Sequence, residues 1–506
     1  MNSQTFSLSK ILLNTCLFWA IVFLLYQLDA NARMDDDYIG EQVYWLLQEG
    51  KVKSELMGGF NQIGLEHYQS VFHKLWIYNG YLFCSIGGWS LVSLHFASLI
   101  YFFIFLIVFY IYQRGNIPKE SKSLILPISL LIILAHHELK NISWSFRPEV
   151  MVMTLGFISF FFLNKSIQYQ KKFALYISAL FAGLAFLTHL NGLIYVVAGF
   201  LSLCLYKRYI EAFIWGIIVT AIFSLYFLDI FLQADLAYFW HQFRNDPSLV
   251  KNTFSIWGIL ERILMEQARY LFSEKEIPLT ILLVISLAAQ WKHLKKEYSL
   301  LLRYTIILML TMAIWSYTKT PYLLILHLPF FILLISISLS RIILKNNNIA
   351  TSKWLKYTLI LTISTYLIVD LGYSYAKITK NIQSWQSSTP QVNQLLSGFI
   401  QKEEKKNTLK NIKVLSFGSF IFNEIENYQS IKNINQYSFF RDYHSKTKIN
   451  LEQLIQENNS TNIKYILFDQ EHQEYFNTKK VLMQKPDLAK IIYQTEKHLI
   501  IKIKGR

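Results

Sequence analysis

The sequence predicts an α-helical polytopic membrane protein of about eleven transmembrane helices, followed by a small α/β domain outside the cytoplasm. Three observations carry this. Of the 506 residues, 53% are hydrophobic and only 16% are charged, and the apolar residues come in blocks too long for soluble core helices. The cations collect in short loops on alternate sides of those blocks. Past Tyr375 the composition turns to a soluble pattern, which divides the chain into a membrane region, 1–375, and a C-terminal domain, 376–506.

Taken in order, the first apolar run is Ile11 to Leu28. Ala30-Asn31-Ala32 behind it resembles a secretory cleavage site, but a run this long at the head of further spans reads as a retained anchor. A polar outer loop, 31–88, follows. Its stretch from Glu41 to Leu47 puts Val43, Leu46 and Leu47 on one helical face, as an interfacial helix would. Further spans are expected at Leu91–Tyr112, Leu124–Ala135, Val150–Leu163, Phe173–Leu187, Gly192–Tyr206 and Ile210–Leu232. The third is short and needs its flanks to cross. Pro148 and Glu149 suit the first turn of the fourth. A second polar loop, 233–276, precedes spans near Pro278–Gln290, Leu300–Tyr317, Tyr322–Leu339 and Trp354–Tyr373. In the last domain, strands are expected at Lys413–Phe417, Tyr465–Phe468 and Leu499–Ile503. There is no internal repeat, and Asn346-Asn347-Asn348 is the one low-complexity tract.

Alternating the spans puts Arg114, Lys119, Lys122, Lys171, Lys207, Lys295, Arg341, Lys345, Lys353 and Lys356 on one side, which the positive-inside bias makes cytoplasmic. Lysine and arginine total 49 against 33 acids, and this loop bias accounts for the excess without a nucleic-acid partner. The short loops of the opposite side carry Lys140, Arg147 and Lys319, and share that side with Asp35, Asp36 and Asp37. Cys16, Cys84 and Cys204 have no paired spacing, so neither a disulfide framework nor a cysteine metal site is indicated.

Asp35-Asp36-Asp37-Tyr38 is the run around which a function can be built. Carboxylates directly after a span must sit outside the bilayer. Three in a row cannot all ionise freely, so at least one should have a raised pKa, as a base working near neutral pH requires. The same residues suit a helix N-cap, with Asp36 or Asp37 capping a helix that begins near Ile39. His136, His137 and Glu138 read as a polar helix end, since adjacent histidines lack the spacing of a zinc pair. Arg147 can hold a phosphate through its planar fork or simply snorkel to the interface. His189 and Lys319 carry the same two readings. Together these groups offer positive charge where an anionic leaving group would depart. No P-loop, no GxGxxG after a strand and no Gly-x-Ser-x-Gly occurs, so nucleotide-driven transport and serine hydrolysis lack a motif.

On these residues the chain resembles the GT-C superfamily of multi-spanning glycosyltransferases, nearest its protein O-mannosyltransferase and lipid A aminoarabinose transferase branch. The match runs from Asp35-Asp36-Asp37-Tyr38 to Leu46-Leu47-Gln48-Glu49-Gly50, then Phe146-Arg147-Pro148-Glu149, Ala182 to Gly192 with His189, and Lys319-Thr320-Pro321-Tyr322 followed by His327-Leu328-Pro329. It covers roughly the first 340 residues. The family usually has Asp-Glu where this chain has Asp-Asp.

The resemblance implies a polyprenyl-phosphate sugar donor, a lipid, glycan or protein acceptor, and inverting transfer on the extracytoplasmic face of a bacterial inner membrane. It favours Asp36 as the base with Asp35 and Asp37 beside it. Arg147, His189 and Lys319 would take the donor phosphate, and Tyr38, His137, Glu138 and Tyr322 would contact substrate. No soluble cofactor is implied, and a divalent metal at the acids stays open. Two other classes compete. A transporter or flippase of lipid-linked saccharides would place charges near span midpoints and show matched halves. A receptor or scaffold built around the C-terminal domain would leave Asp35 to Asp37 free to vary.

Overall fold

The computed structural model describes residues 3–33, 35–58, 64–233, 236–245, 255–316, 319–344, 352–384, 387–404, 408–436 and 449–504. Tyr317, Lys345 and the Asn346-Asn347-Asn348 tract lie outside them, as do the side chains of Lys119, Lys353 and Lys356. Long apolar runs fold as helices because lipid leaves backbone groups no partner but their own chain. Among the described residues, six helices are long and apolar enough to cross a membrane: Ser9–Gln27, Leu91–Asn116, Glu149–Tyr169, Tyr209–Leu232, Ile277–Glu297 and Tyr357–Gln383. Shorter apolar helices at Ser121–Ala135, Lys172–Thr188, Leu190–Leu205, Ser299–Trp315 and Leu328–Leu344 stand where the remaining spans were expected. The chain is a multi-pass membrane protein.

The helices that position the site are α1 (Ser3–Gln27), α2 (Asp36–Glu49), α3 (Lys74–Gly87), α4 (Leu91–Asn116), α5 (Lys119–Ala135), α6 (His137–Ile142) and α7 (Glu149–Tyr169). Helix α7 is the central post. Its residues from Glu149 to Phe161 are buried in an unbroken run against α4 and the following helix, Lys172–Thr188. Its first turn therefore holds Arg147 and Glu149 at a fixed height. The short third span is completed from Lys119 on its N-terminal side, with Pro127 inside it.

Two expectations are corrected. The segment Tyr322–Leu339 is not one helix: Pro321–Leu326 winds as a 3-10 turn and the α-helix begins only at Leu328. Pro329 has no N–H to give the carbonyl of Ile325 and biases Leu328 away from helical geometry, so a continuous helix would break there. Helix α2 does not lie along lipid. Ile39, Gly40, Glu41, Gln42, Val43 and Tyr44 are all buried, and six consecutive residues cover every face of a helix. The C-terminal domain supplies the cover: the ring of Phe422 stacks on Trp89, and both lie close to Gly40. Gly50 ends the helix at φ 70°, where its N–H bonds to the Leu46 carbonyl.

The helix Ser352–Ser384 runs on past the expected boundary at 376, and Thr389–Glu404 follows. Then come β1 (Lys413–Ser416), β2 (Ser430–Asn433), β3 (Ile463–Asp469), β4 (Ala489–Gln494) and β5 (His498–Ile503). The sheet order is β2-β1-β3-β5-β4, parallel from β2 through β3 and antiparallel thereafter. Both faces are covered, as parallel strands require. Val414, Tyr465, Leu467 and Ile500 join the core that continues into the membrane region. Leu415, Ile466, Phe468, Leu499 and Ile501 alternate with them and pack a separate core with Leu451, Leu454 and Ile455.

Candidate active site

Between α1 and α2 the chain reverses in a tight turn held by Arg33. Its Nε donates to Asp29 Oδ2 at 3.2 Å, and its terminal nitrogens donate to the carbonyls of Tyr26 and Asn141. The helix starts at Asp36, and Asp35 occupies the N-cap position without a side-chain cap bond. That start sorts three identical side chains into three settings.

Asp36 points inward and is 0% exposed. Its Oδ2 accepts from the Arg33 backbone N–H and from His95 Nε2, both at 2.6 Å, and its Oδ1 accepts from the Phe146 N–H at 2.6 Å. These bonds lock the first loop to α4 and to the turn before α7, and they leave the carboxylate enclosed.

Asp35 points outward, with 55% of its side chain exposed, and its Oδ2 accepts from Arg147 Nη1 at 2.8 Å. Partial desolvation by the protein around this open side chain, with repulsion from Glu149 and Asp36, raises its carboxyl above the ordinary range, and Arg147 offsets this only in part. Arg147 also grips Glu149 with Nε and Nη2, at 3.1 and 2.8 Å, and lays its guanidinium over the Tyr322 ring, 4.3 Å from the centroid. A planar fork serving two carboxylates and a ring at once is a task lysine cannot perform.

His73 and His189 stack beside this group with centroids 4.5 Å apart, within electrostatic reach of both Arg147 and Glu149. His189 Nδ1 accepts from the Asn191 N–H at 2.9 Å, so the neutral ring carries its proton on Nε2. Burial lowers the pKa of both imidazoles, that of His73 to about 3 with help from its neighbour. They are neutral hydrogen-bond donors at physiological pH, where the sequence reading took His189 as a cation.

The structure thus brings Asp35, Arg147, His189 and Tyr322 together. Other expected residues are engaged elsewhere. Lys319 donates to Glu266 Oε2 at 2.7 Å and to the carbonyls of Ala313 and Ser316, which occupies its three protons. Glu266 is shared with buried Arg269, whose Nη1 holds the Thr320 carbonyl. Tyr38 Oη accepts from Gln69 Nε2 at 2.8 Å and ties down the first outer loop. His137 accepts from Lys275 at 2.7 Å, and Glu138 lies in the electrostatic field of Glu276, His136 and Lys275. Asp37 meets the C-terminal domain at Gly418: a Cβ there would fall 1.4 Å from its Oδ2. Among the described residues, no three His, Cys, Asp or Glu side chains are grouped to hold a metal.

His73 and His95 escaped the sequence reading because each stands alone in an apolar or aromatic stretch without a motif. Glu149 shows in the sequence as a first-turn acid and as the end of the Phe146-Arg147-Pro148-Glu149 match, without a sign that it shares the Arg147 guanidinium with Asp35.

No protein-family model and no curated protein matches the sequence. Solved structures do match. ArnT from Cupriavidus metallidurans in the apo state superposes with a TM-score of 0.60 at 10% identity, over 96% of this chain and 97% of that one. The same protein bound to undecaprenyl phosphate gives 0.57 at 10% identity, over 97% of each chain. The Archaeoglobus fulgidus oligosaccharyltransferase tethered with an acceptor peptide gives 0.52 at 11% identity, over 91% of this chain and 69% of that one. This chain, from its first span to its C-terminal sheet, has the fold of the GT-C glycosyltransferases.

Proposed function

We propose that the protein is an integral-membrane glycosyltransferase that moves a sugar from a polyprenyl-phosphate donor to an acceptor hydroxyl, with inversion. One observation carries this reading: the exposed carboxylate of Asp35 lies 2.8 Å from Arg147, which itself stands near the stacked imidazoles of His73 and His189. That is a base next to an anion site, the two functions the reaction needs. The ArnT structure with undecaprenyl phosphate supports the donor class, since its fold matches over nearly the whole chain.

In this reading Asp35 removes the proton from the acceptor hydroxyl. The oxygen attacks the anomeric carbon on the face opposite the phosphate. The bond from that carbon to the phosphate oxygen breaks, and its electron pair leaves with the lipid phosphate. Arg147 and the Nε2–H of His189 receive the charge that develops there. Asp35 replaces Asp36 as the base because a carboxylate closed by His95, Arg33 and Phe146 has no room for an acceptor oxygen. Asp36 instead fixes the turn that presents Asp35.

The active face is the one opposite the cytoplasmic cation loops. Reporter fusions test that placement: a cytoplasmic signal at Gln391 sinks it. The function is tested by deleting the protein and comparing cell-envelope glycans and glycoproteins by mass spectrometry. Loss of one sugar increment is expected; an unchanged glycan profile, with no release of polyprenyl phosphate by the purified protein from lipid-linked sugars, overturns it.

A further inference from the structure

The C-terminal sheet places β2 and β3 on opposite sides of β1. Chain reversal of this kind opens a crevice at the carboxyl ends of the parallel strands, the place where open α/β sheets take ligands. A cavity of about 370 Å³ lies there, between the ends of β1 and β3, within the size range of small-molecule pockets. Phe417 and Ser419 follow β1, Asn435 follows β2, Asp469 ends β3 and Glu471 comes just after it. The fourth wall is Asp37, from the first outer loop of the membrane region.

Several of these polar groups are oriented and incompletely used. His472, 3% exposed at its side chain, stands behind the cavity. Its Nδ1 and its backbone N–H both reach Asp469 Oδ1, at 2.6 and 2.9 Å, and its Nε2 lies 2.6 Å from Asn435 Oδ1. Among the described residues, Asp469 Oδ2 and the Glu471 carboxylate have no hydrogen-bond partner. The imidazole thus engages one oxygen of Asp469 and the Asn435 amide, leaving the second Asp469 oxygen and the Glu471 carboxylate as acceptors for a guest. Among the described residues, no lysine or arginine lines the space. An anion would meet three carboxylates, while a neutral polyol would find acceptors for its hydroxyl hydrogens in a mostly polar lining.

We infer that this cavity binds a saccharide unit, the acceptor side of the reaction proposed above. The word acceptor rests on that reading; the saccharide site does not. Asp37 is two residues from Asp35, so a sugar held against Asp37 lies within a short reach of the base. The segregation of charge is consistent with this: phosphate is favoured at Arg147 and repelled from the strand-end cavity.

Full-length protein in detergent, without donor, is titrated with methyl glucoside, methyl mannoside and methyl galactoside, and binding is followed by ligand-observed NMR. At least one hexoside should bind, and binding should weaken tenfold or more in Glu471→Gln. Ser419→Tyr, which fills the cavity from a partly exposed position, should abolish it. Unfolding curves of both variants are recorded to confirm that they fold. The inference is overturned if none of the three glycosides binds, if binding survives both substitutions, or if inorganic phosphate competes for the same site. Since no donor is present, a protein that transfers no sugar still gives a clear answer here.

Discussion

Asp35 pairs with Arg147, which also meets the Tyr322 ring and lies near two imidazoles, whereas Asp37 faces a cavity walled by Asp469, Glu471 and Asn435. Between them Asp36 faces neither and is consumed by three structural bonds. The difference teaches that residue type alone does not assign a role in an acidic run. Successive residues at a helix start diverge by about a hundred degrees, so where the helix begins decides which carboxylate meets the anion site, which braces the turn and which meets the domain above.

The comparison breaks most sharply at Asp35. Asp35→Asn keeps the shape but cannot accept a proton, so transfer from a lipid-linked donor should fall about a hundredfold or more. Asp35 makes one exposed ion pair, so expression and unfolding temperature should stay near those of the parent protein. If Asp35→Asn transfers normally while Asp36→Asn does not, the base returns to Asp36 and the buried setting described here has been misassigned its role.

Arg147→Lys comes next. Lysine keeps the charge but loses the fork that spans Glu149 and Asp35, and each charge-assisted bond lost is worth about 1.5–3 kcal/mol. Turnover should drop roughly tenfold to a hundredfold, read as kcat at saturating donor. Activity equal to the parent protein would mean that Arg147 only snorkels.

Asp36→Asn should act on stability instead. An amide at this site must point its NH2 at the Phe146 N–H, or at Arg33 and His95, leaving buried donors unmatched at a cost of about 1–3 kcal/mol. Thermal unfolding of the purified variant should shift down, with kcat per folded molecule reduced less than in Asp35→Asn. An unfolding temperature equal to the parent's removes the bracing role.

Much of the fold could be read from the sequence because lipid enforces one pattern: an apolar block is a helix. Loop sidedness grouped the acidic run with Lys140, Arg147, His189 and Lys319, and only the resemblance added Tyr322; of these the structure gathers Asp35, Arg147, His189 and Tyr322. What remained hidden depended on packing across the chain. His95 reaches Asp36 from the first turn of α4, and nothing local distinguishes it from a histidine at any helix end. Strands β2 and β4 were missed for a similar reason. Ser430-Ile431-Lys432-Asn433 is too short to show a period, and Ala489 to Gln494 is mostly exposed at the sheet edge. The partner of Lys319 was hidden as well, because Glu266 comes from the second polar segment, where no motif stands out.

The smallest expected effect concerns Asp37 and tests whether its acidic cavity is real. Asp37 is partly open to that space, but protein surrounds it, and burial pushes its carboxyl from 3.8 up to about 7, with Asp35 and Asp36 adding repulsion. A carboxyl whose pKa is raised by folding holds its proton in the native state over a range where the unfolded chain has already lost it. In that window the native state binds more protons, so stability falls as pH rises from about 4 to about 7 and levels off above. Other groups titrate over the same range, so a single curve is not diagnostic; the difference between two proteins is. The unfolding temperature should be higher at pH 5 than at pH 8 in the parent protein, and Asp37→Asn, which carries no charge at either pH, should shrink that gap by a few degrees. Asp36→Asn serves as the control at the neighbouring position. If the gap is the same with and without Asp37, its carboxylate sits in water rather than against Gly418, and the opposition drawn here between its surroundings and those of Asp35 loses its acidic half.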